Sequence, residues 1–215
     1  MSMLFTRRTL GVAALSAVSL ALLPASPAFG AETVEVNSLN GKNQPVKVTV
    51  PKDPKRIAIA DYAVLDTLDH WGLAKDRIVA ITQTTALPYL PEYFKKSPKM
   101  RNIGTLKEID FEGLMAAEPD VIFISGRLQK KYDELSKIAP VVYMTIDRTK
   151  GTFESFAENH MNLAKIFGKE AEAKADIAHF EDRIEKIRKA SEGKTAIVSL
   201  VTSSHVNLLG SQARC

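Results

Sequence analysis

The fold is decided by the stretch Asp120–Arg127, DVIFISGR, in which an apolar run ends in a serine, a glycine and an arginine. A short apolar run with Pro119 before it and Gly126 after it predicts a buried strand. In an open α/β sheet, the residues just beyond the carboxyl end of a strand face the ligand crevice. Arg127, with its permanent charge and several donors, is therefore predicted at the mouth of a cleft, and an ordinary surface arginine is the alternative.

The sequence on both sides of this strand alternates short apolar segments with amphipathic ones. Further strands are predicted at Arg56–Ala60, Ile78–Thr82, Asn102–Gly104 and Val141–Ile146, and helices at Tyr62–Trp71, Leu90–Lys96, Asp110–Ala117 and Leu128–Ile138. Strands that alternate with helices predict a mostly parallel sheet in an α/β fold. Before them, Thr33–Ser38 and Val46–Val50 flank Asn40-Gly41 and predict a β-hairpin.

A second set of elements follows the predicted sheet. Amphipathic helices are predicted at Phe153–Phe167 and Lys169–Ala190, and apolar strands at Thr195–Thr202 and Val206–Leu209. A strand pair of this kind needs a helix layer to bury its faces, and only Gly210–Cys215 remain. We therefore expect a first lobe over 31–168, a linking helix over 169–190, and the start of a truncated second lobe over 191–215.

The first thirty residues are typical of a secretory signal peptide. Arg7 and Arg8 precede the apolar run Leu10–Leu23, and small residues lead up to Gly30, where cleavage is expected. The run is too short to predict a membrane span, and the paired arginines leave Sec and twin-arginine export both open. The only cysteine is Cys215, which allows no disulfide within the chain and no lipid attachment after the signal. A periplasmic location is expected.

The charge of the chain argues against nucleic-acid binding. The formal net charge is +4, and removing 1–30, which holds two arginines and no acids, leaves +2. A charge this small and dispersed does not form the basic surface that nucleic acids require.

The histidines and serines form no metal or catalytic motif. The four histidines, His70, His160, His179 and His205, are far apart and lack metal-ligand spacing. No Gly-x-Ser-x-Gly, P-loop or Gly-rich dinucleotide turn occurs, and Ser203–His205 are only neighbours in sequence. The sequence therefore predicts no catalytic residue and no metal ligand, and it places the helical histidines at partly exposed or core positions.

Polar residues do recur where predicted strands end. They are Tyr62 after the first strand of the sheet, Thr105 after the third, Ser125 and Arg127 after the fourth, and Arg214 after the last hairpin. Both arginines stand near glycines, an arrangement that suits a cleft for an anion.

Four stretches together resemble the iron-siderophore-binding proteins of ABC importers, and most of all their catecholate-siderophore group. They are PKRIAIADYAVLDTLDHWGL (54–73), NIGTLKEIDFEGLMAAEPDVIFISGR (102–127), LQKKYDELSKIAPVVYMTIDRTKGTFESFAENHMNLAKIFG (128–168) and LLGSQARC (208–215). The resemblance implies two parallel-sheet lobes joined by one long helix, with the ligand between them and little hinge motion. It also implies a longer chain, which makes a truncated product the expectation.

The resemblance assigns roles to two of the strand-end residues. Arginines of both lobes bind the catecholate oxygens in this group; Arg127 matches the one in an SGR motif. Arg214 matches the one in a GSxSRF-like motif, although the sequence here reads Ala213-Arg214-Cys215. An anionic ferric complex leaving water needs fixed compensating charge, and arginine supplies it with several charge-assisted bonds.

The function that the resemblance implies is capture of a ferric siderophore and its delivery to an inner-membrane permease with a cytoplasmic ATPase. The ferric complex is the cargo, no resident cofactor is expected, and the full-length protein is expected to be a monomer. A haem or cobalamin carrier of the same fold, a non-binding remnant, and an enzyme on a flavodoxin-like sheet are the alternatives.

Overall fold

A computed structural model describes residues 32–83, 87–95, 97–147, 149–195 and 197–208. The predicted signal peptide over 1–30 and the predicted ligand residue Arg214 lie outside these residues.

The predicted N-terminal hairpin is confirmed. Strands β1 (Thr33–Leu39) and β2 (Pro45–Pro51) pair antiparallel, and their turn is closed by Asn40, whose Oδ1 accepts the amides of residues 42 and 44 at 2.9 and 3.0 Å. An asparagine side chain that binds nearby amides in this way is a common turn device.

A parallel sheet forms the centre of the described structure. Its strands are β3 (Ile57–Ala60), β4 (Ile78–Ile81), β5 (Arg101–Asn102), β6 (Val121–Ile124) and β7 (Val141–Tyr143). They lie in the order β5-β4-β3-β6-β7, and every neighbouring pair is parallel. The chain adds strands on one side of β3 and then returns to add strands on the other side. The order therefore reverses between β3 and β6, which is where an open α/β sheet binds ligands.

Helices cover both faces of this sheet. The helices are α1 (Tyr62–His70), α2 (Phe111–Ala116), α3 (Tyr132–Leu135) and α4 (Thr152–Phe167). Leucines of α1 and α4 pack with Ile59 and Phe123 on one face, and leucines of α2 and α3 pack with Ile122 and Ile124 on the other. Because successive side chains of a strand point to opposite faces, the uninterrupted apolar run of β6 fills both cores.

The helix ends follow from local chemistry. Asp61 caps the N-terminus of α1, and Asp110 caps α2 by accepting the amide of Gly113 at 2.9 Å. Gly168 ends α4 in a left-handed conformation with φ of 66°, which a glycine adopts without strain.

The last part of the described chain is much more exposed. Helix α5 (Glu170–Ala190) packs on α4 and buries Ala173, while Phe180, Ile184 and Ile187 remain exposed. Strands β8 (Ser199–Val201) and β9 (Val206–Leu208) pair antiparallel, and all of their residues are exposed. Of the helices in the described part, none combines the length and hydropathy needed to cross a bilayer.

Two predicted helices take another form. The described part of Leu90–Lys96 holds only a 3-10 turn at Pro91–Phe94, where the proline fits because the first turn needs no N–H donor. The segment predicted as a helix over Leu128–Ile138 is a 3-10 turn at Gly126–Lys131 followed by the four-residue α3. The buried Leu128 and Leu135 stand seven residues apart, a spacing that fits both one continuous helix and a 3-10 turn followed by a short helix.

Three predicted strands are shorter than expected. The strand predicted over Val141–Ile146 ends at Tyr143, because its partner β6 ends at Ile124, the residue paired with Tyr143. Within the described residues of the strand predicted over Thr195–Thr202, only β8 is extended and paired, and it pairs with the three described residues of β9. The extended piece predicted at Asn102–Gly104 overlaps the two-residue β5 only at Asn102, because β5 begins one residue earlier and ends there.

Burial predicts opposite outcomes for two leucine truncations. Leu65 is fully buried in α1, and Leu208 in β9 is 70% exposed. Leu65→Ala should lower the free energy of unfolding by about 2–5 kcal/mol, and Leu208→Ala by no more than about 0.5 kcal/mol. Urea denaturation of the two variants measures this difference, and equal losses would contradict the described packing.

Candidate functional site

The candidate site lies at the carboxyl ends of β3 and β6, where the strand order reverses. Asp61 and Tyr62 follow β3, and Ser125, Gly126 and Arg127 follow β6. Because the two strands are parallel neighbours, both segments emerge at the same edge of the sheet, where the ligand crevice of such folds forms.

A cavity of about 310 Å³ opens at this edge. Its wall combines the start of α1, the residues after β6, the loop after β7 and the first half of α4, and most of the lining atoms are apolar. The lining residues are Asp61, Ala63, Val64, Thr67, Ser125, Gly126, Met144, Thr145, Ile146, Phe156, Asn159, His160 and Leu163. Two further depressions, of about 390 and 600 Å³, lie beside the N-terminal hairpin. Their linings are more polar than that of the cavity, and both share Thr145 with it.

Asp61 supplies the buried carboxylate of the cavity, and its chemistry is that of a helix cap. Its Oδ1 accepts the amides of Ala63 and Val64 at 2.7 and 3.3 Å, and the residue is 9% exposed. Burial raises the pKa of Asp61, although the two backbone hydrogen bonds act in the opposite direction.

Arg127 lies in the first turn after β6 and is not among the residues that line the cavity, so its place at the mouth of a ligand crevice stays a prediction. It is exposed in the first turn after the strand, and its guanidinium makes no hydrogen bond or ion pair with the residues the structure describes. Its neighbours Ser125 and Gly126 line the cavity. A β-carbon on Gly126 would lie 3.3 Å from the hydroxyl oxygen of Tyr143, so the absence of a side chain allows this close approach.

Tyr62 and Thr105 are held by local contacts. The Tyr62 hydroxyl donates to the carbonyl of Thr82 at 2.8 Å, and its ring meets Phe94 edge-to-face at 5.4 Å. The Thr105 hydroxyl accepts the amides of Lys107 and Glu108 at 3.2 and 3.0 Å and closes a turn. Within the described chain, Ser125 lines the cavity while Tyr62 and Thr105 do not.

A polar cluster that sequence reasoning missed lies beside the cavity and is centred on Asp176 of α5. Asp176 Oδ2 accepts the indole Nε1 of Trp71 at 3.0 Å and lies 3.0 Å from Nε2 of His160. Its Oδ1 lies 3.2 Å from Nε2 of His70. These residues are far apart in the sequence and follow no shared motif, so local patterns could not have found them. The helical histidines are nevertheless partly exposed or in the core, as expected: His160 is buried and His70 is exposed.

The cluster keeps Asp176 ionised. Burial raises the pKa of Asp176, but hydrogen bonds from His160, Trp71 and His70 together outweigh it and lower the pKa below its usual value. Among the described residues, no three His, Cys, Asp or Glu side chains are grouped so as to hold a metal ion.

A family model described as periplasmic binding protein matches residues 57–207. The petrobactin-binding protein YclQ of Bacillus subtilis is 37% identical over 168 residues, which cover 77% of this chain and 51% of that protein. The ferric-anguibactin-binding protein FatB of Vibrio anguillarum is 24% identical over 178 residues, covering 78% and 52%. The chain thus spans about half the length of the curated relatives it matches.

Solved structures match the fold. The crystal structure of YclQ superposes with a TM-score of 0.73 at 31% identity and covers 82% of this chain and 61% of that one. The catecholate-siderophore-binding protein VctP of Vibrio cholerae gives a TM-score of 0.73 at 29% identity and covers 83% and 62%. The prediction of an α/β fold with a parallel sheet is confirmed, and the predicted lobe boundaries stay predictions.

Acid should remove the stabilisation that Asp176 provides. Because its pKa in the fold is below the usual 3.8, folding favours the charged carboxylate. That contribution is complete above the usual pKa and is lost as pH falls through the lowered value. In urea unfolding, the free-energy difference between wild type and Asp176→Asn should be largest near neutral pH and should shrink below about pH 4. A difference that stays constant down to about pH 2 would contradict this.

Proposed function

Because the chain belongs to the periplasmic binding protein family, we propose that it binds a ferric siderophore and delivers it to an ABC importer of the inner membrane. The family is one of binding proteins, so its members hold a cargo and release it unchanged. The names of two relatives support this cargo, since YclQ is described as petrobactin-binding and VctP as catecholate-siderophore-binding.

The observation that carries the proposal is the exposed Arg127, which directly follows the cavity-lining residues Ser125 and Gly126 at the strand reversal. An anionic ferric complex must exchange water for fixed positive charge, and arginine offers that charge with several directed donors. Arg127 makes no bond with the described residues, so a ligand would not have to displace a partner.

The apolar lining of the cavity favours the catecholate class of siderophore. A catecholate presents phenolate oxygens at one edge of an aromatic ring, and the ring itself is apolar. The oxygens would face Arg127, and the ring would bury its faces against side chains such as Met144, Ile146 and Phe156. Ferric citrate has no such ring, so we expect it to bind more weakly than a ferric catecholate.

The remaining predicted contacts are part of the proposal. Ser125 would donate its hydroxyl from the cavity wall. Tyr62 and Thr105 lie outside the cavity lining and already hold hydrogen bonds, so they would contact only a part of the ligand that extends beyond the cavity, through their ring and methyl groups. Arg214, outside the described residues, would supply a second guanidinium. We further propose that no resident cofactor takes part and that the full-length protein acts as a monomer.

Arg127→Ala should weaken binding of ferric petrobactin by about 10- to 150-fold, which corresponds to the 1.5–3 kcal/mol of a hydrogen bond to a charged group. Arg127→Lys should restore only part of the affinity, because the planar fork of donors is lost. Quenching of Trp71, the only tryptophan in the chain, measures the titration.

Lys130→Ala is the matched control, since Lys130 is exposed in the same 3-10 turn and its removal changes the net charge equally. We expect this variant to bind like the wild type. Equal affinity of Arg127→Ala and wild type would refute the role of Arg127. Preferential binding of haem in the same assay would favour a carrier of another cargo.

The periplasmic location is also a proposal, and it predicts the mature N-terminus. Export should remove 1–30 and leave a protein that begins at Ala31. Mass spectrometry of a periplasmic extract measures this directly. Recovery of a chain that retains Arg7 and Arg8 in the membrane fraction would show that the segment acts as an anchor.

A further inference from the structure

The carboxylate of Asp176 determines which ring nitrogen of the neighbouring histidines carries a proton. A carboxylate only accepts hydrogen bonds, so the Nε2 atoms of His160 and His70 that face it must each carry a proton. A neutral His160 is therefore held as the Nε2–H tautomer. The indole of Trp71 donates to the same oxygen, Oδ2, as His160 does.

His160 is also part of the cavity wall. It is 7% exposed, and its ring stacks on Phe156 with centroids 5.2 Å apart and an interplanar angle of 27°. The ring of Trp71 lies against it at 4.9 Å. Both His160 and Phe156 line the cavity. A contact that holds the ring of His160 in one orientation therefore also holds the part of the cavity wall that His160 and Phe156 form.

The same wall holds α5 in place. Phe156 meets Phe180 of α5 edge-to-face, with centroids 5.3 Å apart, one turn beyond Asp176. One turn before Asp176, Ala173 is fully buried. Asp176 and Phe180 of α5 thus contact side chains that line the cavity.

We infer that Asp176 is a positioning residue, which couples the cavity wall formed by His160 and Phe156 to the docking of α5. The inference rests on the proposed function, because it assumes that the cavity receives part of the ligand. Coupling of this kind is reciprocal: a ligand that orders the wall stabilises the docked helix, and a docked helix strengthens ligand binding.

Three variants separate the positioning of His160 by Asp176 from the general effect of removing a charged side chain from α5. Asp176→Ala removes every acceptor of the cluster, whereas Asp176→Asn keeps one oxygen that can replace the shared Oδ2. Asp182→Ala is the control, because Asp182 lies on the same helix and, among the described residues, pairs only with Lys186 at the exposed surface, at 2.6 Å.

The first measurements need no ligand. Nitrogen–proton correlation spectra of the labelled histidines should show the Nε2–H tautomer of His160 in wild type, Asp176→Asn and Asp182→Ala, and a mixture of tautomers in Asp176→Ala. The emission of Trp71 should shift to longer wavelength in Asp176→Ala alone. An unchanged tautomer and unchanged emission in Asp176→Ala would overturn the inference.

The second measurement uses ferric petrobactin as the probe. Asp176→Ala should bind it at least about fivefold more weakly than wild type, and Asp176→Asn and Asp182→Ala should bind it nearly as well. The probe should slow hydrogen exchange across 170–180 in wild type and not in Asp176→Ala. Equal affinities and equal protection would overturn the coupling.

Failure of the proposed function gives a different result. If wild type does not bind the probe, the cargo assignment is wrong, while the ligand-free spectra still decide whether Asp176 positions His160. If Asp176→Ala does not fold, His160→Phe breaks the same contact from the cavity side, because it keeps a ring and removes the N–H donor. It should speed hydrogen exchange across 170–180, and unchanged exchange would overturn the inference.

Discussion

The parallel pairing of β3 with β6 is the constraint on which the rest of the structure depends. It brings Ile57–Ala60 and Val121–Ile124 into register although some sixty residues separate them in the chain. The strand order reverses at this pair, so the chain leaves β3 toward one side of the sheet and leaves β6 toward the other. The residues that follow the two strands therefore border a crevice at the same edge. The capped start of α1, the Ser125–Arg127 turn and the cavity between them all follow from that one pairing.

A single carboxylate, that of Asp176, connects the helices beside the cavity. Asp176 is reached by donors from the end of α1 and from α4, so one residue of α5 ties three helices together beside the cavity. An ionised group in a partly buried position is stable only when donors replace its water. Here three N–H groups do so, and the lowered pKa of Asp176 is the consequence.

The sequence predicted the parts of this arrangement that local patterns specify. The apolar run of β6 and the hairpin around Asn40-Gly41 were predicted correctly because each depends on a few neighbouring residues. The 3-10 turn at Gly126–Lys131 was not, because the spacing of its buried Leu128 from Leu135 of α3 also fits one continuous helix. The Asp176 cluster could not be predicted either, since His70 and Asp176 stand 106 residues apart and meet only after the helices pack.

The central claim is that a ferric catecholate binds at the carboxyl ends of β3 and β6. The unpaired electrons of ferric iron broaden nuclear magnetic resonance signals of nearby amides, whereas the gallium complex of the same ligand has the same shape and no unpaired electrons. The nitrogen-labelled protein is titrated with ferric petrobactin and, separately, with gallium petrobactin. The difference in signal broadening between the two titrations measures the position of the iron directly. The account predicts iron-specific broadening at Ala63, Gly126 and Arg127. Broadening at the opposite end of the sheet, around Glu118 and Asp120, or none at all, would contradict it.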